Sequence, residues 1–203
     1  QKSSCRDRGR HPSGKGSELV FEEILAALGK ALQGRSIPYM IIGGQAILLY
    51  GEPRLTKDID ITLGVDADRL DDVLALAREL SLRVLPENVR DFVLQTMVLP
   101  CLHEKSGIRV DFIFSFTPYE AQAIKRANRV QILGTGVCFA SPEDVIIHKI
   151  FAGRPRDMED ARSILLRNDD LDIPYIQSWL DEFDDSSEEK GFGKSFEELL
   201  GQT

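Results

Sequence analysis

Long apolar runs are missing from this chain. None approaches the ~20 residues that a membrane span needs, and the first residues lack the hydrophobic segment of a secretory signal. Both absences point to a soluble, cytoplasmic protein with no membrane partner. Cysteine is scarce: Cys5, Cys101 and Cys138 are odd in number, scattered and free of C-x-x-C spacing. They read as reduced thiols, with neither a zinc site nor a disulfide framework. His11, His103 and His148 share no spacing that would make a metal site or a triad, and His148 reads as a structural histidine. No G-x-G-x-x-G, G-x-x-x-x-G-K-[ST] or G-x-S-x-G occurs, so dinucleotide, P-loop and hydrolase readings lose their main support.

A basic surplus is absent too, since the net charge is −8. The acidity is local: from Asp169 to Glu198 the balance is −9, which leaves the remaining chain at +1. A neutral body with local basic clusters can take a nucleotide or an RNA end, but not duplex nucleic acid at large.

At 203 residues and 42% hydrophobic, the chain can bury one domain's core. Residues 1–16 are basic, rich in Gly and Ser and without apolar periodicity, which reads as a disordered arm or an expression remnant. A core follows over 17–140. Ser17 caps a helix carrying Val20, Ile24, Leu28 and Leu32, and Asp66 opens another with Leu70, Val73, Leu74 and Ala77. Tyr39 to Ile42 is a strand, Leu82 to Leu85 a short strand, and Pro86 to Gln95 is ambiguous between loop and helix. Val98 to His103 with Ile108 to Phe114, and Val130 to Leu133 with Val137 to Ala140, form hairpins. Thr117-Pro118 and Ser141-Pro142 each start a helix with a capping side chain and a proline at its first position. Residues 141–183 are expected as a helical C-terminal part, ending in an amphipathic helix with Trp179, and 184–203 as an acidic, mobile tail.

The chain is organised around Ile41 to Leu63, IIGGQAILLYGEPRLTKDIDITL. An apolar strand meets Gly43 and Gly44, a short helix follows, and Arg54, Thr56, Asp58 and Asp60 precede a β-branched tail. In a strand, Asp58 and Asp60 put their carboxylates on one face while Ile59 and Ile61 take the other. Two carboxylates aimed at one spot are tolerated when protons or cations sit between them, and hard oxygen ligands suit Mg²⁺ or Mn²⁺. Gly43 and Gly44 bar no close ligand, and a helix starting there directs N–H groups at an anion. Phosphate on one side and metal on the other is equipment for phosphoryl or nucleotidyl transfer.

In the strand Ile108 to Phe114, Asp111 stands where an apolar residue would be expected. It becomes a third carboxylate at the same centre if this strand lies beside Asp58 and Asp60; otherwise it is part of a solvated face paired with Arg109. A second informative stretch gathers Lys149, Arg154, Arg156, Asp157 and Asp160. Acidic residues in a helix's first turn answer its dipole, but that leaves unexplained three cations of the kind a triphosphate needs.

These residues resemble the nucleotidyltransferase superfamily typified by DNA polymerase beta, through Gly43-Gly44, Arg54, Asp58-Ile59-Asp60 and Asp111. Lys149 followed by Arg154-Pro155-Arg156-Asp157 and Asp160 resembles the K…R-x-K-D…D signature of abortive-infection toxin nucleotidyltransferases of the AbiEii/AbiGii type. The resemblance covers about Tyr39 to Leu166. Many members carry Gly-Ser at the turn where this chain has Gly44, and those toxins carry Lys where it has Arg156.

The resemblance implies an α/β (α+β) fold, a mixed sheet with helices packed on one side, and an NTP-dependent enzyme that transfers a nucleoside monophosphate to a hydroxyl. It implies that Asp58, Asp60 and Asp111 hold Mg²⁺ or Mn²⁺, with Asp111 as a base. Gly43, Gly44, Arg54 and Thr56 would bind nucleotide together with Lys149, Arg154, Arg156, Asp157 and Asp160, and Lys149 would take part in catalysis. The acceptor would be an RNA or tRNA end, a protein or a small molecule, and a toxin would have an antitoxin partner. The rival expectations are a nucleotide-binding module that has lost chemistry, a two-metal nuclease or phosphatase, and an interaction module using its acidic tail.

Overall fold

A computed structural model describes residues 15–54, 56–115, 117–186, 188 and 191–202, the side chains of 15–18 excepted. The N-terminal arm expected over 1–16 therefore falls almost wholly outside the described residues, as does the capping side chain of Ser17. Helix α1 spans Lys15–Gly34. Strand β1, Tyr39–Ile42, runs directly into helix α2, Gly43–Tyr50, and β2 covers Asp58–Leu63. A 3₁₀ turn, Ala67–Arg69, is capped by the Asp66 carboxylate accepting from the Ala67 N–H, and leads into α3, Leu70–Glu79.

Strand β3 is Leu82–Val84, α4 Val89–Thr96, β4 Val98–His103 and β5 Ile108–Phe114. The ambiguous stretch before Val98 is thus helical over most of its length. Helix α5, Pro118–Arg126, and α6, Pro142–Ala152, have the proline starts the sequence announces, with Thr117 and Ser141 accepting from the N–H groups of Glu120 and Asp144. Strands β6, Asn128–Ile132, and β7, Thr135–Phe139, lie between them. Helix α6 stops at Gly153, whose φ of +64° suits a residue without Cβ. Helix α7 is Pro155–Leu165, α8 Ile173–Ser186 and α9 Phe192–Leu200.

The tail differs from the expectation of an acidic, mobile segment beyond Asp184. Helix α8 continues to Ser186, and α9 buries Phe192, Phe196 and Leu199 against the rest. The acidic count concealed an apolar stripe at helical spacing, and the stripe decides where the segment goes.

The seven strands form one mixed sheet in the order β3-β4-β5-β2-β1-β7-β6. Strand β2 pairs antiparallel with β1 and parallel with β5, and β1 pairs parallel with β7. Ile59, Ile61 and Leu63 of β2 and Ile108, Val110, Phe112 and Phe114 of β5 are all buried on one face. That apolar face fixes the register, because a slip of one residue would bury the acidic face instead. Among the described residues, no helix is long and apolar enough to cross a membrane. Cys101 is buried and unpaired, its thiol pushed up to about 12 by burial and then by Asp111, so it is inert.

Candidate functional site

The two glycines sit where β1 turns into α2. Gly43 has a φ of +64°, and a Cβ there would stand 2.1 Å from Asp60 Oδ2. A Cβ on Gly44 would stand 2.4 Å from Thr56 Oγ1. The sequence reading has both glycines leaving room for a phosphate; in the fold that room is taken by side chains from β2 and the loop before it. Ile42 supplies no capping side chain to α2, so the helix's first N–H groups are what the turn offers an anion.

Asp58 and Asp60 share one face of β2, and in the parallel register Asp60 stands beside Asp111 of β5. Adjacent residues of paired strands point to the same face, so the third carboxylate is on the side of the first two. Each is held differently. Asp58 accepts from Thr56 Oγ1 at 2.7 Å, so the threonine expected at the nucleotide orients a carboxylate. Asp111 accepts from Arg109 Nε at 2.7 Å, so the solvated pairing weighed in the sequence is realised together with the shared face. For Asp60, burial first, and then the charges of Asp58 and Asp111, push its pKa up to about 6, while Lys149 and Arg109 oppose the shift.

The second stretch comes together as an ion network. Lys149 Nζ lies 2.7 Å from Asp157 Oδ1 and 2.8 Å from Asp160 Oδ2, and all three side chains are buried. Arg54 reaches Asp160 with two hydrogen bonds, Nε at 3.1 Å and Nη2 at 3.0 Å, which ties the loop before β2 to α7. Arg154, largely exposed, pairs with Asp157. Burial alone would raise the Asp157 carboxyl, but the Arg154 and Lys149 hydrogen bonds outweigh it and hold it below its ordinary value. Arg156 is exposed on α7 and has no hydrogen bond or ion pair among the described residues. What sequence reasoning missed is that Arg54 is tied to Asp160 of α7, a pairing for which local spacing carries no signal.

Among the described residues, no group of three or more His, Cys, Asp or Glu side chains is arranged to hold a metal ion. Two of the three expected ligands have partners instead: Asp111 accepts from Arg109 and Asp58 from Thr56. By donor chemistry the residues fit a divalent cation, since three hard carboxylates share a face, and burial together with its two neighbours' charges raises Asp60.

A mixed sheet with carboxylates on adjacent strands beside a glycine turn defines the nucleotidyltransferase fold, and solved structures agree. The antibiotic-resistance factor ANT(2'')-Ia is 22% identical, with 83% of this chain and 91% of that one covered at a TM-score of 0.53. An antigenic nucleotidyltransferase-like protein from Paracoccidioides brasiliensis is 18% identical over 89% and 87% of the two chains, with a TM-score of 0.53. The lincosamide antibiotic adenylyltransferase LnuA, lincomycin-bound, is 16% identical over 72% and 98%, with a TM-score of 0.52. No curated protein matches the chain in sequence. Residues 19–199 match the family described as nucleotidyltransferases of unknown function (DUF6036), and the protein belongs to that family.

Proposed function

We propose that this protein transfers a nucleoside monophosphate from a nucleoside triphosphate to a hydroxyl acceptor in a reaction that depends on a divalent cation. The single observation carrying this reading is the parallel register that sets Asp111 beside Asp60, so that three carboxylates share a face at the start of α2. Asp58, Asp60 and Asp111 would hold Mg²⁺ or Mn²⁺, which when bound supplies charge neutralisation for the triphosphate and acidifies the attacking hydroxyl.

The chain's own residues do the rest. The N–H groups opening α2 bind phosphate oxygens, and the Thr56 hydroxyl fixes the rotamer of Asp58. Asp111, released from Arg109, accepts the proton of the acceptor hydroxyl, and the freed guanidinium faces the phosphates. Lys149 is already neutralised by Asp157 and Asp160, so its work is to lock α6 to α7, and with Arg54 to hold the loop before β2. The exposed Arg154 and Arg156 meet the departing pyrophosphate at the α7 N-terminus.

The test is incubation of the full chain with each labelled triphosphate, Mg²⁺ and candidate acceptors: small hydroxylated molecules, total RNA and lysate protein. Asp58→Asn and Asp111→Asn should each lower label transfer by at least about 10³-fold while leaving thermal unfolding in place. Transfer retained in both variants would overturn the carboxylate assignment.

The abortive-infection toxin type is the finer form of this reading. What supports it is that four of the residues carrying that resemblance, Lys149, Arg154, Asp157 and Asp160, form one contact network, with Arg156 exposed beside it. Growth arrest on expression, relieved by Asp58→Asn and by a neighbouring reading frame acting as antitoxin, is the outcome it requires.

A further inference from the structure

Helix α6 has two working faces. Residues advance by about 100° along an α-helix, so Ile147 and Phe151, two residues either side of Lys149, lie nearly opposite it. Lys149 faces the carboxylates. Ile147 and Phe151 instead line a cavity of about 580 Å³, within the ordinary range for small-molecule sites. Its other walls are Tyr119 from α5 and Trp179 and Phe183 from α8.

These rings pack against one another in the cavity wall, and Phe151 also stacks on Phe192. Tyr119 meets Trp179 at 5.1 Å and Phe183 at 5.2 Å between centroids, both edge-on, and Phe151 meets Phe183 at 5.5 Å. Yet Phe151 remains 53% exposed, a large apolar surface left uncovered at the cavity. Among the described residues lining the cavity the charges are of one sign, Glu120 and Glu182, with no Lys or Arg. His148, also in the wall, adds no positive charge near neutral pH, because burial and then the neighbouring Lys149 push its pKa down to about 4.

Aromatic faces present negative π-density and favour a cation over an anion, and the two carboxylates add to that preference. We propose that this cavity is a second ligand site, separate from the carboxylate face and built for a small organic cation: an ammonium carried on an aryl or alkyl body. The body covers Phe151 and the Trp179 and Phe183 rings, and the ammonium faces Glu182 and Glu120.

Trp179 is the chain's single tryptophan, so intrinsic fluorescence of the full-length protein reports on the cavity directly. Three probes of one ring and different charge are titrated: benzyltrimethylammonium, benzyl alcohol and benzoate. The cation should give a saturable change with an affinity at least about 10-fold above the other two. Glu182→Gln, at an exposed position, should weaken the cation about 5-fold or more while leaving the melting temperature in place. Asp58→Asn, outside the cavity, should bind it as the native chain does, so loss of nucleotidyl transfer and loss of this site are read separately. Equal binding of the three probes, no saturable change with the cation, or an unchanged affinity in Glu182→Gln would each overturn the proposal.

Discussion

At the scale of single residues, the carboxylate face carries an electrostatic cost. Asp60 has an ordinary carboxyl pKa of 3.8 in the unfolded chain and about 6 in the fold, so the fold prefers its protonated form. The stability contributed by that protonated form is complete below the unfolded value and is lost as pH rises through about 6. Asp60→Asn removes the titration. The variant should melt higher than the native chain at about pH 8, by up to roughly 3 kcal/mol of stability, and no higher at about pH 4, while transfer is abolished. Thermal unfolding across pH checks it, and a variant less stable at high pH would refute the penalty of burying the ionised Asp60 beside two like charges. Thr56 makes a second prediction. Thr56→Val leaves Asp58 without its donor and should lower turnover about 10- to 100-fold with little change in triphosphate KM, and Thr56→Ser should restore it. The hydroxyl's place beside Gly44 also accounts for a glycine where related enzymes carry serine: a side chain there would collide with Thr56.

At the scale of elements, the question is what Lys149 holds together. Its ammonium sits between two buried carboxylates on α7, and Arg54 brings the loop before β2 to one of them, Asp160. Breaking a buried ion cluster by removing one partner leaves charges without compensation. Lys149→Met should therefore destabilise the fold by about 3–5 kcal/mol in chemical denaturation, and adding Asp157→Asn and Asp160→Asn should recover most of that loss. Recovery identifies Lys149 as a structural cation; a stable single variant with lost transfer would instead place it at the substrate. The elements themselves were readable: capping side chains, Pro at helix starts and Gly153 at a helix end mark α5 and α6 in sequence. Helix α9 was hidden because its three buried apolar residues lie in an acidic stretch and are matched by three charged ones, and composition is a poor guide when few residues define a face.

At the scale of the whole molecule, the seven-stranded sheet brings together groups that are far apart in the chain. Its electrostatics would also set when the proposed cation enters. Mg²⁺ requires the ionised carboxylate, so binding competes with the proton on Asp60 and should weaken as pH falls below about 6. Mg²⁺ with a triphosphate, at about 100-fold over its dissociation constant, should stabilise the native chain by about 2.7 kcal/mol near neutral pH and much less at about pH 5. Differential scanning fluorimetry in both buffers, with Asp58→Asn as control, reads this directly; stabilisation independent of pH and of Asp58 would remove the cation from this face.

The sequence alone determined the local order: apolar strand, glycine turn, short helix and a strand with two carboxylates on one face, because two-residue and 3.6-residue periodicities are written into neighbouring positions. It also singled out Asp111 as a polar residue on a strand. Only the tertiary structure decided that β5 lies parallel beside β2, that the glycines are spaced for Asp60 and Thr56, and that Lys149 is spent on two carboxylates. Those outcomes depend on which elements pack together; a register between strands distant in the chain, or the meeting of Arg54 with Asp160 across 106 residues, has no signature in local spacing.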